Sequence, residues 1–365
     1  MSNYLTSRRR LLQQMGMGAT LLSVGAGRQV LAASGGKKLG VALVGLGYYS
    51  RDLLAPALQL TEHCELKGIV TGSPDKIPVW QEKYGIKDAN VYNYDTMHEI
   101  ADNPEIDVVY IVVPTGLHKK YAVIAANTGK HVWCEKPMAL TPEDCQSIID
   151  ACRKNKVKLS VGYRMQHEPN TQTVMQYAQD LPYGAIRTVN TQAAYGGNGL
   201  PADNWRMQKH MGGGALYDMG VYTINGARYA TGLEPIAVTA KRSFDHPKFT
   251  EVDNTTHLTL EFPNDIVAEC MTSVVQSGNQ LRVNAENGWY QLKPMSEYSG
   301  VQGTTSDGKK LDKYLANQQV KQMDDDALAI INDSPVLVPG EEGMRDIAIV
   351  RAAIESSEKE KRITL

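Results

Sequence analysis

An apolar run from Leu39 to Leu43 ends in Val44-Gly45-Leu46-Gly47-Tyr48-Tyr49-Ser50, and the segment Asp52 to Leu60 then leads to a second apolar run, Leu66-Lys67-Gly68-Ile69-Val70. Strand, glycine turn, helix, strand is the order of a dinucleotide-binding unit, and it commits this half of the chain to a parallel, helix-covered sheet. The first glycine permits the turn. The second lets backbone approach a pyrophosphate, whose charge meets the amides at a helix N-terminus. Gly45, Gly47, Tyr48 and Tyr49 are the expected contacts. The third fingerprint position holds Ser50 rather than glycine or alanine, and taken alone the two glycines also fit an ordinary strand-ending turn.

The second strand ends in Val70-Thr71-Gly72-Ser73-Pro74-Asp75-Lys76, with no carboxylate directly at its tip. A dinucleotide with a 2′-phosphate is repelled less there, and Thr71, Ser73 and Lys76 offer donors or positive charge to it. NADP is therefore preferred over NAD, although Asp75 as a ribose ligand and Lys76 as a solvated helix residue are the competing readings. Asp107 to Pro114 is a nearly continuous apolar strand of a buried parallel sheet. Pro114 and Thr115 then face the cofactor, with His118 as either a ligand contact or a structural helix cap. A helix from Lys119 to Thr128 and a strand His131-Val132-Trp133-Cys134 follow, and the strand runs into Glu135-Lys136-Pro137. A charged pair at a buried strand terminus implies a local role.

Residues 1–33 contain four arginines and no acidic residue, then a short apolar run from Met15 to Val24 and small residues at Ala32 and Ala33. This is the order of a signal peptide, and Ser7-Arg8-Arg9-Arg10-Leu11-Leu12 resembles a twin-arginine export signal. The run is shorter than the roughly 20 apolar residues a membrane span requires. Without the leader, 34 basic side chains face 40 acidic ones, so nucleic-acid binding is not expected. The five cysteines fit neither a disulfide framework nor a metal site and read as buried small apolar residues. The histidines are scattered and no metal is expected. The length suggests two domains, 34–160 and 161–365.

The second half changes pattern. Asp144 to Lys154 reads as a helix and Lys158 to Tyr163 as the last strand of the first domain; Tyr163-Arg164 at its end can reach sugar or nicotinamide from the crevice, or serve in the core or the domain hinge. Beyond it, Ile186–Tyr195, Ile236–Phe244, Thr255–Phe262, Ile266–Thr272, Gln280–Asn284 and Gly288–Leu292 give short, partly alternating β signals. The fold class is thus α/β, an N-terminal Rossmann domain followed by an α+β domain on a large, mostly antiparallel open sheet. One face of that sheet is expected to be apolar and available for a homodimer or homotetramer. Between its strands, Gly212-Gly213-Gly214 leads into Ala215 to Tyr222, where Asp218 and Tyr222 share one face if helical. Trp205 and Arg206 precede the glycines; Arg206, like Arg164 and Tyr195, is a candidate for sugar or cofactor contact, the competing reading for the arginines being an ion pair that closes the domains. Asp324-Asp325-Asp326 reads as an acidic helix N-terminus.

The glycine turn, the Thr71–Lys76 loop, Cys134-Glu135-Lys136-Pro137-Met138-Ala139, Trp205-Arg206, Gly212 through Tyr222 and Pro339 through Asp346 together resemble the glucose–fructose oxidoreductase branch of the Gfo/Idh/MocA oxidoreductases. The resemblance covers essentially the whole chain after the leader. It implies Lys136, Tyr222 and Asp218 as catalytic residues: Tyr222 as acid/base, Asp218 as a sugar-binding neighbour and Lys136 near both the nicotinamide ribose and the reacting hydroxyl. It also implies Glu135, Arg164, Trp205 and Arg206 in the cofactor cleft. Many relatives carry histidine where this chain has Tyr222. Free tyrosine and lysine have pKa values of about 10 and 10.4, so a Lys136 cation beside Tyr222 would stabilise its phenolate.

Export and redox chemistry together imply a cofactor that is not recharged from a soluble pool. The expectation is a periplasmic enzyme with tightly held NADP, exported by the twin-arginine machinery. It oxidises an aldose at carbon 1 to an aldonolactone and passes the hydride to a second sugar carbonyl, giving an alditol. The competing readings are an exchanging NAD(P)-dependent sugar or cyclitol dehydrogenase, an NAD-dependent glycoside hydrolase of the same fold, and a noncatalytic sugar sensor.

Overall fold

The computed structural model describes residues 37–196, 200–201 and 203–365; the expected leader lies outside them. Residues 38–365 form one compact unit built on two sheets. The first contains β1 (Leu39–Val44), β2 (Cys64–Val70), β3 (Val91–Tyr92), β4 (Val108–Ile111), β5 (His131–Cys134) and β6 (Leu159–Val161) in the order β3-β2-β1-β4-β5-β6, all parallel. Order reverses beside β1, which opens a crevice at the carboxyl ends of β1 and β4. Helix α1 starts as a wide π-type turn, Ser50–Leu54, and finishes as Ala55–Ala57. Helices α2 (Ile77–Tyr84), α3 (His118–Asn127) and α4 (Pro142–Lys154) complete the crossovers. In α4 the sequence dictates the helix plainly. Thr141 caps it by accepting from the Asp144 amide at 3.2 Å, Pro142 occupies the first turn, and Cys145, Ile148, Ile149 and Cys152 form the buried stripe.

The second sheet has nine strands: β7 (Ile186–Ala194), β8 (Ala237–Ser243), β9 (Thr255–Glu261), β10 (Val267–Ser273), β11 (Gly278–Ala285), β12 (Gly288–Leu292), β13 (Gly303–Thr305), β14 (Lys310–Leu311) and β15 (Ile363–Thr364). Their order is β14-β13-β12-β11-β7-β10-β9-β8-β15, antiparallel except for the β7–β10 pair. Helix α5 (Pro169–Asp180) and helix α6 (Val221–Thr231) cover its inner face, where Val189, Leu258, Leu260, Ala268, Cys270, Leu281 and Val283 are buried. The other face is polar, not apolar as the sequence suggested. It presents Asn190, Gln192, Thr239, Lys241, His257, Glu269 and Arg282, because alternation places the hydrophobic set of each strand inward.

One helix from the second half of the chain packs on the first sheet. Helix α7 (Gln318–Ile331) returns to the first sheet, burying Met323 and Ala327 against Val41, Val108, Tyr110 and Trp133. The acidic triplet sits in the middle of α7, whose N-cap is Asn317, so it is no helix-start cluster. Asp324 accepts from the Glu62 and His63 amides, Asp325 pairs with His167 at 2.8 Å, and Asp326 accepts from Ser160 at 2.6 Å. Helix α8 (Gly340–Lys359) then packs between α4 and β8. All five cysteines are free and buried, and burial pushes the Cys64, Cys145, Cys152 and Cys270 thiols up to about 12. Among the described residues no helix is long and apolar enough to cross a membrane, and no group of three or more metal-ligating side chains occurs.

Candidate active site

The glycine turn leaves β1 through Gly45 at φ +93°, where a side chain would meet Val113 and the Val112 carbonyl within about 3 Å. Ser50, the odd residue of the fingerprint, is buried and donates its hydroxyl to the Gly45 carbonyl at 2.6 Å, tying the helix start back to the turn. At Gly47 the position of a Cβ faces open space, with nothing within 4 Å, as a cofactor cradle requires. Tyr48 is 58% exposed, and Tyr49 packs inward against Tyr298 with ring centroids 6.0 Å apart. Lys76 reaches across from the end of β2 and donates to the Leu46 carbonyl at 3.1 Å, so its ammonium stands over the turn. Thr71 accepts from the Ser73 amide at 3.0 Å, and Asp75 is exposed.

The next strand end closes against the second half. Thr115 is buried, and Gly116 has the backbone of His210 so near that a Cβ would lie 2.3 Å from its carbonyl oxygen. Gly213 is pressed in the same way against the Arg206 carbonyl at 2.4 Å, while the Gly214 amide donates to that carbonyl at 2.9 Å. The triple glycine is therefore the joint that folds the Trp205-Arg206 segment onto the start of α6. His118 belongs elsewhere: it is buried with Nδ1 2.8 Å from the Pro137 carbonyl and Nε2 2.7 Å from the Val113 carbonyl. Both nitrogens are committed to backbone, which corrects its assignment as a cofactor contact; it braces the loops after β4 and β5.

Lys136, Asp218, Tyr222, Arg206 and Tyr195 meet in one cluster. Residues Leu216–Gly220 form a π-type turn before α6, the kind of helical irregularity that recurs at functional sites, and it frees the Asp218 carbonyl to accept from Lys136 Nζ at 2.7 Å. The same ammonium lies 4.4 Å from the Tyr222 ring centroid and 4.0 Å from Asp218 Oδ1. The other carboxylate oxygen, Oδ2, accepts from Tyr195 at 2.9 Å and from Arg206 Nε at 3.0 Å. Burial pushes the Asp218 pKa up, but the Arg206 and Lys136 charges and these hydrogen bonds outweigh it, and the carboxyl is held below its ordinary range. Asp218 is thus a fixed anion. Arg206 also covers the Trp205 ring at 4.5 Å. Burial, then the Asp218 charge, raises the Tyr195 pKa, so that phenol stays protonated and donates.

Arg164 is buried behind the site rather than in it. Its guanidinium donates to the Ser296 and Glu297 carbonyls and to the Gln318 side chain, and it stacks 5.6 Å from the Tyr222 ring centroid and 4.6 Å from that of Tyr298. The readings as a cofactor ligand and as an ion pair both give way to the third one the sequence left open, a place in the core at the domain junction. Arg164 orients two phenols. Tyr298, Tyr110 and Gln318 were not anticipated, and for α7 the sequence offered only that Gln319 to Ile331 could run beside the sugar cleft, not that Gln319 and Gln322 reach Tyr49 and Tyr110. The buried spacing Gln318, Gln322, Asp326, four residues apart on one helix face, was the available signal, since such a polar stripe demands partners.

Residues 39–163 match the Gfo/Idh/MocA oxidoreductase family's NAD-binding Rossmann fold, and residues 171–291 match its C-terminal domain. The crystal structure of an aldose-aldose oxidoreductase from Caulobacter crescentus, complexed with glycerol, superposes with a TM-score of 0.86 at 34% identity, covering 90% of this chain and all of that one. The D-xylose 1-dehydrogenase (NADP+) of Haloarcula marismortui is 26% identical over 341 residues, 89% of this chain and 92% of that protein. A levoglucosan dehydrogenase solved with NADH and levoglucosan shares the fold, at 21% identity and a TM-score of 0.76 over 90% of this chain and 99% of that one. The chain belongs to the Gfo/Idh/MocA oxidoreductase family.

Proposed function

We propose that this chain is a periplasmic sugar oxidoreductase of the glucose–fructose oxidoreductase branch, holding NADP through successive turnovers. It oxidises an aldose at carbon 1 to an aldonolactone and reduces a second sugar carbonyl to an alditol. The observation that carries this reading is the meeting of Lys136, from the end of β5, with Asp218 and Tyr222, from the start of α6, beside an open glycine cradle. Bound NADP supplies the hydride acceptor, and later the hydride donor. Gly45, Gly47, Tyr48, Tyr49, Thr71, Ser73, Lys76, Pro114 and Thr115 would hold it. The Lys76 ammonium over the turn and the carboxylate-free strand end favour the 2′-phosphate.

Tyr222 takes the proton of the carbon-1 hydroxyl and gives it back to the acceptor oxygen. Lys136, its ammonium 4.4 Å from the centre of the Tyr222 ring and fixed by the Asp218 carbonyl, stabilises the phenolate. Asp218, kept ionised by Arg206 and Tyr195, holds sugar hydroxyls. The leader in residues 1–33 makes a soluble cofactor pool unavailable, which is why the cycle closes on one retained nucleotide. Pairing of two copies across the polar outer sheet face completes the proposal. The test is to purify the exported protein without added nucleotide and follow the absorbance of the reduced nicotinamide while adding aldoses and then acceptor sugars. Reduction followed by reoxidation with no free NADP is expected. A protein that arrives empty and needs continuous cofactor supply is instead an exchanging dehydrogenase, and a bound but unresponsive cofactor marks a hydrolase or a sensor.

A further inference from the structure

Glu135 is a buried carboxyl that the chemistry above leaves unused. It ends β5, one residue before Lys136, and both its oxygens are held: Tyr110 on β4 donates to Oε1 at 2.7 Å, and the Lys136 amide donates to Oε2 at 3.2 Å. Gln322 on α7 donates to the Tyr110 phenol at 3.0 Å, which commits the phenolic proton to Glu135. The space is purpose-shaped, because a Cβ at Gly162 would stand 2.6 Å from Oε1. Among the described residues no cation forms an ion pair with Glu135; the Lys136 ammonium turns instead to Asp218. The titratable and charged groups that face it are Tyr110, Lys136, Arg164, Tyr49, Tyr298 and, from beneath, Cys134. Burial raises its pKa to about 7, against the Tyr110 hydrogen bond and the Lys136 and Arg164 charges.

We propose that Glu135 is the internal proton store of the redox cycle, taking up the proton that the donor sugar loses and returning it to the acceptor sugar. The inference rests on the sugar oxidoreductase reading above. In the donor, the C–H and O–H bonds at carbon 1 break: the hydrogen leaves as hydride with two electrons to the nicotinamide cofactor, and the hydroxyl proton leaves to Tyr222. From Tyr222 the proton passes to the Glu135 carboxylate across Lys136, whose ammonium lies 4.4 Å from the Tyr222 ring centroid and whose amide donates to Glu135 Oε2 at 3.2 Å. Hydride arrival cancels one positive charge of the site, which favours the neutral acid over the carboxylate. In the acceptor, the carbonyl carbon gains the hydride and its oxygen gains the stored proton. A retained cofactor thus needs no exchange of protons with solvent between the two sugars.

Infrared spectra of the protein loaded with NADP or with NADPH, at neutral pH and without sugar, read the store directly. A carboxylic acid C=O band is expected to be clearly stronger in the NADPH form than in the NADP form, and this difference to vanish in Glu135→Gln. An indicator dye in weak buffer then counts protons released as an aldose reduces the bound cofactor: well under one per cofactor in the wild type, a full one in Glu135→Gln. Tyr110→Phe removes a hydrogen bond to the charged form, so proton release should begin at higher pH than in the wild type, and this variant serves if the glutamine protein does not fold. The same band in both loaded forms, or a full proton released by the wild type at neutral pH, overturns the store while leaving the sugar reading intact. The redox-linked band with no reduction by any aldose overturns the sugar reading instead, and the sugar cycle with it.

Discussion

Two buried charge clusters sit along the segment from the π-type turn to the end of α6, and they are built to opposite rules. At the far end Arg228 is wholly buried and surrounded by carboxylates: Glu234 at 2.7 Å, Glu342 at 3.1 Å and Asp346 at 2.5 Å, with Asn225 donating to Asp346 at 2.9 Å. At the near end the cations are in excess, Lys136, Arg164 and Arg206 against the single fixed anion Asp218, and Glu135 lies beside them with a raised pKa. The first cluster satisfies itself and locks α6 to α8. The second leaves an ammonium, part of a guanidinium and a phenol facing a cleft. A buried charge set that is complete holds a fold, whereas one that lacks a member is waiting for a ligand.

Removing the keystone of the closed cluster should have the largest effect. Arg228→Ala leaves Asp346 buried without its cation and Glu342 with the partly exposed Arg345 alone, a loss of about 3–5 kcal/mol that lowers the melting temperature well below that of the wild type. Thermal and denaturant melts check this, and a variant that melts like the wild type breaks the distinction. Tyr222→Phe in the open cluster should do the reverse. Its melting temperature stays near that of the wild type and the cofactor remains bound, while both sugar half-reactions slow by about 10²–10⁴-fold, the usual share of a general acid/base. Full turnover in that variant removes Tyr222 from the chemistry. Smaller still is Arg206→Met, which takes away one of two donors to Asp218 Oδ2 at a partly exposed position. A rise of about tenfold in KM for sugar is expected, in line with one charge-assisted hydrogen bond softened by solvent. Equal KM values show that Tyr195 alone holds Asp218.

The two clusters differ also in how far the amino-acid sequence reveals them. Lys136 and Tyr222 are legible because each stands in a local pattern, a charged pair ending a buried strand and a phenol four residues from an aspartate after three glycines. Gly45 and Gly47 are legible for the same reason, and the Ser50 departure becomes intelligible once its hydroxyl is seen bonding the Gly45 carbonyl. Tyr298, Tyr110 and Gln322 are not legible, since they come from a loop, a strand interior and a returning helix whose neighbours only tertiary folding supplies. Arg164 and His118 occupied motif positions yet turned away, because carbonyls within reach satisfied them first. The acidic triplet of α7 deceived for a related reason: local charge suggested a helix start, while distant partners, backbone amides at 62–63, His167 and Ser160, account for each carboxylate.

Proton linkage sharpens the contrast one step further. Asp346 in the closed cluster and Asp326 on α7 are pushed up to about 6, and Glu135 to about 7, in each case chiefly by burial. Their unfolded values are near 4, so between about pH 4 and 7 these three carboxyls bind more protons in the native protein than in the unfolded chain and their contribution falls as pH rises; His118 and His131, which burial holds below the ordinary imidazole value, oppose them, three groups against two. Asp218 and Asp325 are held low, and their contribution is present at neutral pH and lost only as pH falls below the ordinary carboxylate range. Melting temperature should therefore decline from pH 5 to pH 8. Asp326 is the cleanest place to cut into this slope, because one of its oxygens is buried without a partner and the Ser160 bond survives amide replacement. Asp326→Asn should flatten the slope and raise stability by about 1 kcal/mol at pH 8, less than the full linkage of its shift because the site relaxes. An unchanged slope would place the linkage in Glu135 and Asp346 alone, dividing it between the open cluster and the closed one.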